Sequence, residues 1–326
     1  MTVDSRPFSR RGFCAGLGAA AVAGLALPGA ARANAPMSVR GVPPMLGKVQ
    51  SYVCRAEDTL IDLARKFNLG FIELAAANLG VDAWVPGKGT PLILPTGHLL
   101  PSGPHTGLVL NIADMRLYHF PAGRAPESFP IGVGREGLVT PRGTTTVKRK
   151  QKGPTWYPTA STRKDKPELP AAVPPGPDNP LGAYALYLGW QSYLIHGTNL
   201  PDGVGRRVSR GCIRMYPESI EHLFQVVPVG MPVRVVYEQV KLGWVDSDLM
   251  LEVHPSTDQA DELEETGRLT PAVPPDLNDR VRTAAANQVE RIDWQKVQRA
   301  GVQRTGVPIS ILKDEAVSRT GATQEY

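Results

Sequence analysis

The chain has 326 residues, with 36 Lys and Arg against 31 Asp and Glu, a formal net charge of +5 and 42% hydrophobic side chains. That length accommodates two or three small domains with a sizeable core, and the composition excludes collagen, coiled-coil and wholly disordered classes. The 31 prolines predict many loops and stiff connectors.

Residues 1–33 read as an export signal. Ser9-Arg10-Arg11-Gly12-Phe13 has the twin-arginine form, Cys14–Leu27 is a weakly apolar run rich in Ala and Gly, and Ala31-Arg32-Ala33 is a small-x-small cleavage pattern. The run is shorter than the roughly 20 residues a spanning helix needs, so it predicts a removable leader, a mature start at Asn34 and a periplasmic location. The leader carries Arg6, Arg10, Arg11 and Arg32 against Asp4, so three of the five net positive charges leave with it. No basic run interleaved with aromatics remains, which argues against a nucleic-acid partner. Only Cys54 and Cys212 survive cleavage, too few for a disulfide framework. Cys54 is expected as a small buried apolar side chain, with a Cys54–Cys212 bridge as the alternative.

Residues 34–47, rich in Pro and Gly without periodicity, predict a linker. From 48 to 96 a compact unit follows. Val49–Cys54 alternates like a strand, and Asp58 or Thr59 is placed to cap a helix Leu60–Phe67 that Gly70 ends. A short helix Ile72–Asn78 and a strand Pro91–Pro95 complete a βααβ order. This unit, with Leu79-Gly80-Val81-Asp82 and the Pro86-Gly87 turn, resembles a LysM module. The resemblance implies binding to glycan strands containing N-acetylglucosamine; a structural cap without sugar affinity is the alternative.

Residues 104–238 turn to short strands separated by Gly and Pro, which predicts a mainly β, sandwich-like or barrel-like domain. Strand-like runs are Leu108–Ile112, Arg116–Phe120, Phe129–Val133, Thr144–Arg149, Ala183–Leu188, Tyr193–Ile195 and Pro232–Tyr237. Residues 150–182 interrupt them with Trp156, Tyr157 and eight prolines. A loop of this length in a compact domain is usually functional, so it is read as a lid or wall, with a plain surface insertion as the alternative, and Trp156 as a substrate-binding side chain. Pro217 opens a helix to Val227 with Ile220, Leu223, Phe224 and Val227 inward. Residues 239–312 predict an α/β extension with a strand at Met250–His254, one long helix Leu277–Ala300 and a last strand at Pro308–Leu312. Residues 313–326 read as a polar, disordered tail.

The chemistry concentrates between Ile195 and Met215, I-H-G-T-N-L-P-D-G-V-G-R-R-V-S-R-G-C-I-R-M. A thiol is a strong nucleophile as thiolate, and an imidazole within reach can take its proton. Glycine lets backbone amides approach a developing oxyanion. The pattern H-G-T, connector, S-R-G-C-I-R-M resembles the L,D-transpeptidase (YkuD-type) catalytic domain. Gly153–Thr159 (G-P-T-W-Y-P-T), Gly176–Tyr187 (G-P-D-N-P-L-G-A-Y-A-L-Y) and Met115–Tyr118 (M-R-L-Y) look like the branch that attaches Braun-type lipoprotein to peptidoglycan. One departure is Arg210, where most members have His.

The resemblance implies that Cys212 attacks the diaminopimelate–D-Ala bond of a tetrapeptide stem, with His196 as general base and a carbonyl near Gly197 orienting the imidazole. The amides of Gly211 and Cys212, together with Arg210, are the expected oxyanion donors. Arg210 is also expected to favour the Cys212 thiolate by charge. Arg214 is expected to hold a substrate carboxylate through its planar fork of donors, with a structural salt bridge as the alternative. Ser209 is expected to bind substrate or its own loop. The thioester would pass to an amine of a second stem, giving a 3→3 cross-link, or of an anchored outer-membrane lipoprotein, or to water, giving carboxypeptidase activity. No cofactor is expected, and no metal-ligand spacing is present. Two other classes compete: a papain-like cell-wall endopeptidase, in which the cysteine precedes the histidine, and a non-enzymatic peptidoglycan-binding scaffold.

Overall fold

A computed structural model describes residues 42–314. The export signal, its cleavage pattern and the tail from 315 lie outside the described residues. The described chain is 25% helical and 27% strand.

Eight strands form one mixed sheet in the order Ile213–Arg214, Leu194–His196, Tyr184–Leu188, Gly143–Lys152, Pro232–Val236, Gly107–Asn111, Arg116–Phe120, Glu127–Pro130. Only the 213/194 and 232/107 pairings are parallel. Gly107–Asn111 is buried along its whole length, which explains why G-L-V-L-N shows no strict alternation. Leu108 and Leu110 enter the main core, while Val109 joins Leu100, Tyr118 and Phe120 on the other face. The sheet curls until its ends meet. Gly132, just past the last strand, exchanges two backbone hydrogen bonds of 2.9 Å with Arg214 on the first, which removes the free edges there. The helix Pro217–Val226 starts with its proline in the first turn and buries Ile220 and Leu223, because a missing N–H costs nothing at that position.

The βααβ unit is Gln50–Val53, Leu60–Lys66, Phe71–Ala77 and Pro91–Leu94, its two strands antiparallel. Thr59 caps the first helix by accepting from Asp62 N. The unit does not hang free. Its core side chains are continuous with those of the large sheet, Arg65 pairs with Glu218 at 2.9 Å, and the Arg206 guanidinium lies 3.6 Å from the Phe71 ring centre. The segment expected as plain linker contributes a strand, Met45–Leu46, paired with His98–Leu99.

The extension builds its own three-stranded sheet, Val240–Val245, Asp248–Val253 and Ile309–Ser310, over a separate core containing Leu249, Leu251, Val281 and Val297. The single long helix expected over Leu277–Ala300 is instead two helices, Leu277–Ala285 and Trp294–Gln303, joined by a 3-10 turn. Ala286 breaks the first with φ +50°, and Asp293 caps the second by accepting from Gln295 N and Lys296 N. The helix Thr257–Thr266 went unread in the sequence, although Ser256 and Gln259 form a capping box at its start.

A buried ionic cluster joins the three parts. Lys241 Nζ donates to Leu99 O (2.9 Å), Asp114 Oδ2 (2.8 Å) and Tyr118 OH (2.9 Å) and pairs with Glu252 at 2.6 Å. Among the described residues, Asp114, Glu252 and His254 are close enough to hold an ion, and the Lys241 ammonium already serves as their cation. Beside them Glu73 of the βααβ unit pairs with Arg116 at 2.7 Å.

Candidate active site

Parallel pairing sets Ile195 against Ile213 and His196 against Arg214. Side chains alternate along a strand, so His196, Arg214 and Cys212, which is next to Ile213, share one face. The connector between them is held from outside. Arg206 pairs with Glu264 at 2.7 Å and Arg207 with Asp261, both on the helix Thr257–Thr266, and Gly205 N donates to Ile131 O. The C-terminal extension therefore braces the loop that presents the thiol.

His196 is buried. Its Nδ1 lies 2.5 Å from Gly197 O, so Nδ1 carries the proton and Nε2 is left as acceptor. Burial, then the Arg214 cation, lowers its pKa to about 4, against the pull of the Gly197 and Leu181 carbonyls. The ring is neutral near pH 7. The helix Pro217–Val226 fixes the peptide behind it: a β-carbon at Gly197 would come 3.1 Å from Ile220.

Cys212 is a free, partly buried thiol, as Cys54 is a free, buried one. Its Sγ lies 3.4 Å from Ser192 O. Burial pushes the thiol pKa up, and the Leu194 amide and Arg214 work against that. Arg210 is not among the groups that act on it. The loop before Cys212 is tied internally: Ser209 Oγ accepts from Gly211 N at 3.0 Å and donates to Cys212 O at 2.6 Å. Thr140 Oγ1 adds a bond of 2.9 Å to Gly211 O. Gly211 has φ +102°, and a β-carbon there would meet the Tyr193 ring at 2.9 Å. The Gly211 amide, expected as an oxyanion donor, is used by Ser209, and Ser209, 2% exposed, bonds within its own loop, one of its two expected roles. The Cys212 amide has no hydrogen-bond partner among the described residues.

Arg210 points to the lid. Its guanidinium binds the Asp165 carboxylate and holds that group below its usual pKa, a tie from the loop before Cys212 to the proline-rich insertion. Asp165 ends a short helix, Ala160–Asp165, inside the proline-rich insertion. Trp156 bridges Val173 through its backbone, with 2.9 Å bonds in both directions. No hydrogen bond or aromatic contact links its ring to His196 or Cys212 among the described residues. Arg214 makes no salt bridge among the described residues, and its charge bears on both His196 and Cys212.

A model of the L,D-transpeptidase catalytic domain (YkuD) matches residues 105–235. The Salmonella typhimurium protein named "Probable L,D-transpeptidase ErfK/SrfK" is 40% identical over 260 residues, covering 77% of this chain and 82% of that one. The chain belongs to the L,D-transpeptidase family. It is an acyltransferase of peptidoglycan. Two further L,D-transpeptidases of Escherichia coli K12 resemble it, both named as "Probable": YbiS, 40% identical over 76% of this chain and 81% of that one, and YcfS, 36% identical over 93% and 95%.

In this L,D-transpeptidase the structure gathers His196, Gly197, Cys212 and Arg214, and leaves Trp156 and Arg210 to the lid. Sequence reasoning missed Asp165, Thr140 and Asn179. Thr140 and Asp165 carry no local signal. Asn179 did have one, since it sits in the motif Gly176–Tyr187, but no role followed from the motif alone.

Proposed function

We propose that Cys212 is the nucleophile and His196 the general base of an L,D-transpeptidation on tetrapeptide stems. The observation that carries this is the imidazole polarised by Gly197 O, with a free Nε2, on the strand paired beside the thiol. Sγ attacks the diaminopimelate carbonyl as His196 Nε2 takes the thiol proton. The Cys212 amide donates to the oxyanion. The C–N bond then breaks, the D-Ala nitrogen leaves with the proton from His196, and a thioester remains. An incoming amine gives its proton to His196, attacks the thioester and expels Cys212. Arg214, a cation without a carboxylate partner, holds a stem carboxylate.

The acceptor is the amine of an anchored outer-membrane lipoprotein, or of a second stem. The reading places the mature protein in the periplasm after export, with the βααβ unit as a LysM-like contact to glycan. Retention of both His196 and Cys212 speaks against a bare scaffold, and the order His before Cys speaks against a papain-like site.

Intact-mass spectrometry after incubation with a carbapenem tests the nucleophile: an adduct on Cys212 is expected, lost in Cys212→Ala. A folded, reduced protein that takes up no adduct sinks the reading. Digestion of sacculi incubated with the mature enzyme separates 3→3 dimers from protein-linked stems and so decides the acceptor.

A further inference from the structure

The lid is a proline-rich segment, and prolines bring carbonyls without N–H donors, so its carbonyls must find donors elsewhere. Three of them share one side chain. Asn179, 0% exposed, directs Nδ2 at Pro154 O (2.8 Å), Val173 O (3.1 Å) and Pro174 O (3.1 Å). Its Oδ1 accepts from Leu181 N at 2.8 Å. Carbonyls on one side and an amide on the other fix which way the side-chain amide points.

The next residues lead to the imidazole. The Leu181 carbonyl pulls against the lowering of the His196 pKa and lies 3.4 Å from where a β-carbon of Gly197 would be. Gly182 has φ +65°, and a β-carbon there would fall 2.7 Å from Thr198 N and 3.0 Å from Gly197 C. The segment 179–182 thus backs the Gly197 peptide whose carbonyl holds the ring, and one buried amide ties that backing to the lid.

We propose that Asn179 is a positioning residue that makes the lid and the His196 imidazole one mechanical unit, so that seating the lid sets the orientation of the base. This rests on the reading of His196 as the base. The two halves of the amide then have separable tasks: Oδ1 steadies Leu181 and through it His196, while Nδ2 seats the lid. A methyl in place of the amide removes both. A carboxylate keeps the acceptor for Leu181 N and opposes the lid carbonyls.

The test uses the full chain and measures acylation by a stem tetrapeptide from about pH 3.5 to 8, with thermal melts to confirm folding. Asn179→Ala is expected to lower the rate at pH 7 about tenfold, to raise KM, and to move the acid limb up by about one pH unit as water reaches the ring. Asn179→Asp is expected to raise KM about as much while leaving the acid limb near its original position. A fold defect alone would lower the amount of active enzyme without moving the limb. A folded Asn179→Ala with an unmoved limb overturns the proposal. If the alanine variant does not melt cooperatively, Asn179→Asp decides: wild-type KM overturns it. His196→Ala is the control, because acylation retained there would sink the base assignment instead.

Discussion

At His196, the proposed general base, two needs compete. The ring must be unprotonated to accept, and it must be held still to accept in the right direction. Burial and the Arg214 cation keep it neutral, with a pKa of about 4, while the Gly197 carbonyl fixes Nδ1 as donor. The thiol is pushed up by burial, so the resting pair is thiol and imidazole, and the proton moves during attack. The sign follows directly: the competent form of His196 lies above its pKa, so acylation rises from about pH 4 and is level between roughly pH 5.5 and 8. Arg214→Gln removes the charge that lowers His196 and that partly offsets the rise at Cys212. It is expected to shift the acid limb upward, to slow thiol alkylation at alkaline pH, and to raise KM for stems roughly tenfold through loss of a charged hydrogen bond. Steady-state kinetics against pH, with iodoacetamide labelling, checks all three; an unchanged KM would remove Arg214 from substrate binding. The adjacency of His196 and Cys212 is legible because thiol, imidazole and glycine fall in one short segment, and the strand pairing brings its two ends side by side. The use of the Gly211 amide by Ser209 was not, because it depends on a loop turned at positive φ.

Among the elements, the lid shows what pattern reading captures and what it loses. Its length and prolines marked it as a functional insertion, but the tie that holds it, Arg210 to Asp165, joins residues far apart in sequence. Both partners are partly exposed, so solvent screening leaves the pair weak. Asp165→Asn is therefore expected to raise KM by up to about fivefold with kcat nearly unchanged. Arg210→His, which restores the residue usual in the resembling family, is expected to keep turnover within about tenfold, since Arg210 moves no proton. The two substitutions combined are expected to cost no more than the larger alone, because they break one contact. Additive losses would mean that each residue acts elsewhere. The same limit explains the extension: Val281, Ala285, Ile292 and Val297 are all buried, as a helical stripe would be, yet Ile292 sits in a turn that bridges Leu312. A cap at Asp293 outweighed the helical period.

For the whole molecule the decisive residue is one the sequence disguised. Lys241 lies in V-K-L-G-W-V, where a lysine reads as a solvated face, but its side chain is 0% exposed. Period 2 tells which residues share a face of a strand and not what will cover that face. Here the cover comes from the catalytic domain, whose Asp114 meets Lys241, while Glu252 faces Lys241 from the neighbouring strand of the extension's own sheet. Burial alone would lower the Lys241 pKa, but the two carboxylates raise it well above the usual value, and Lys241 in turn keeps Asp114 low. Lys241→Met would leave both acids without their cation, a loss of about 3–5 kcal/mol. Thermal denaturation is expected to show a midpoint lower by roughly 10 °C. Lys241→Met combined with Asp114→Asn and Glu252→Gln removes the stranded charges and is expected to recover part of that loss. The cluster also predicts the fate of a chain cut after Glu238. Such a chain loses Lys241, Glu252 and His254 from the junction, and Asp261 and Glu264 from the connector that presents Cys212. It keeps every residue proposed for the chemistry and is still expected to fail, either by not folding or by losing carbapenem acylation at least tenfold while folded. Full acylation by the shortened chain would show that the extension is dispensable to the site it braces.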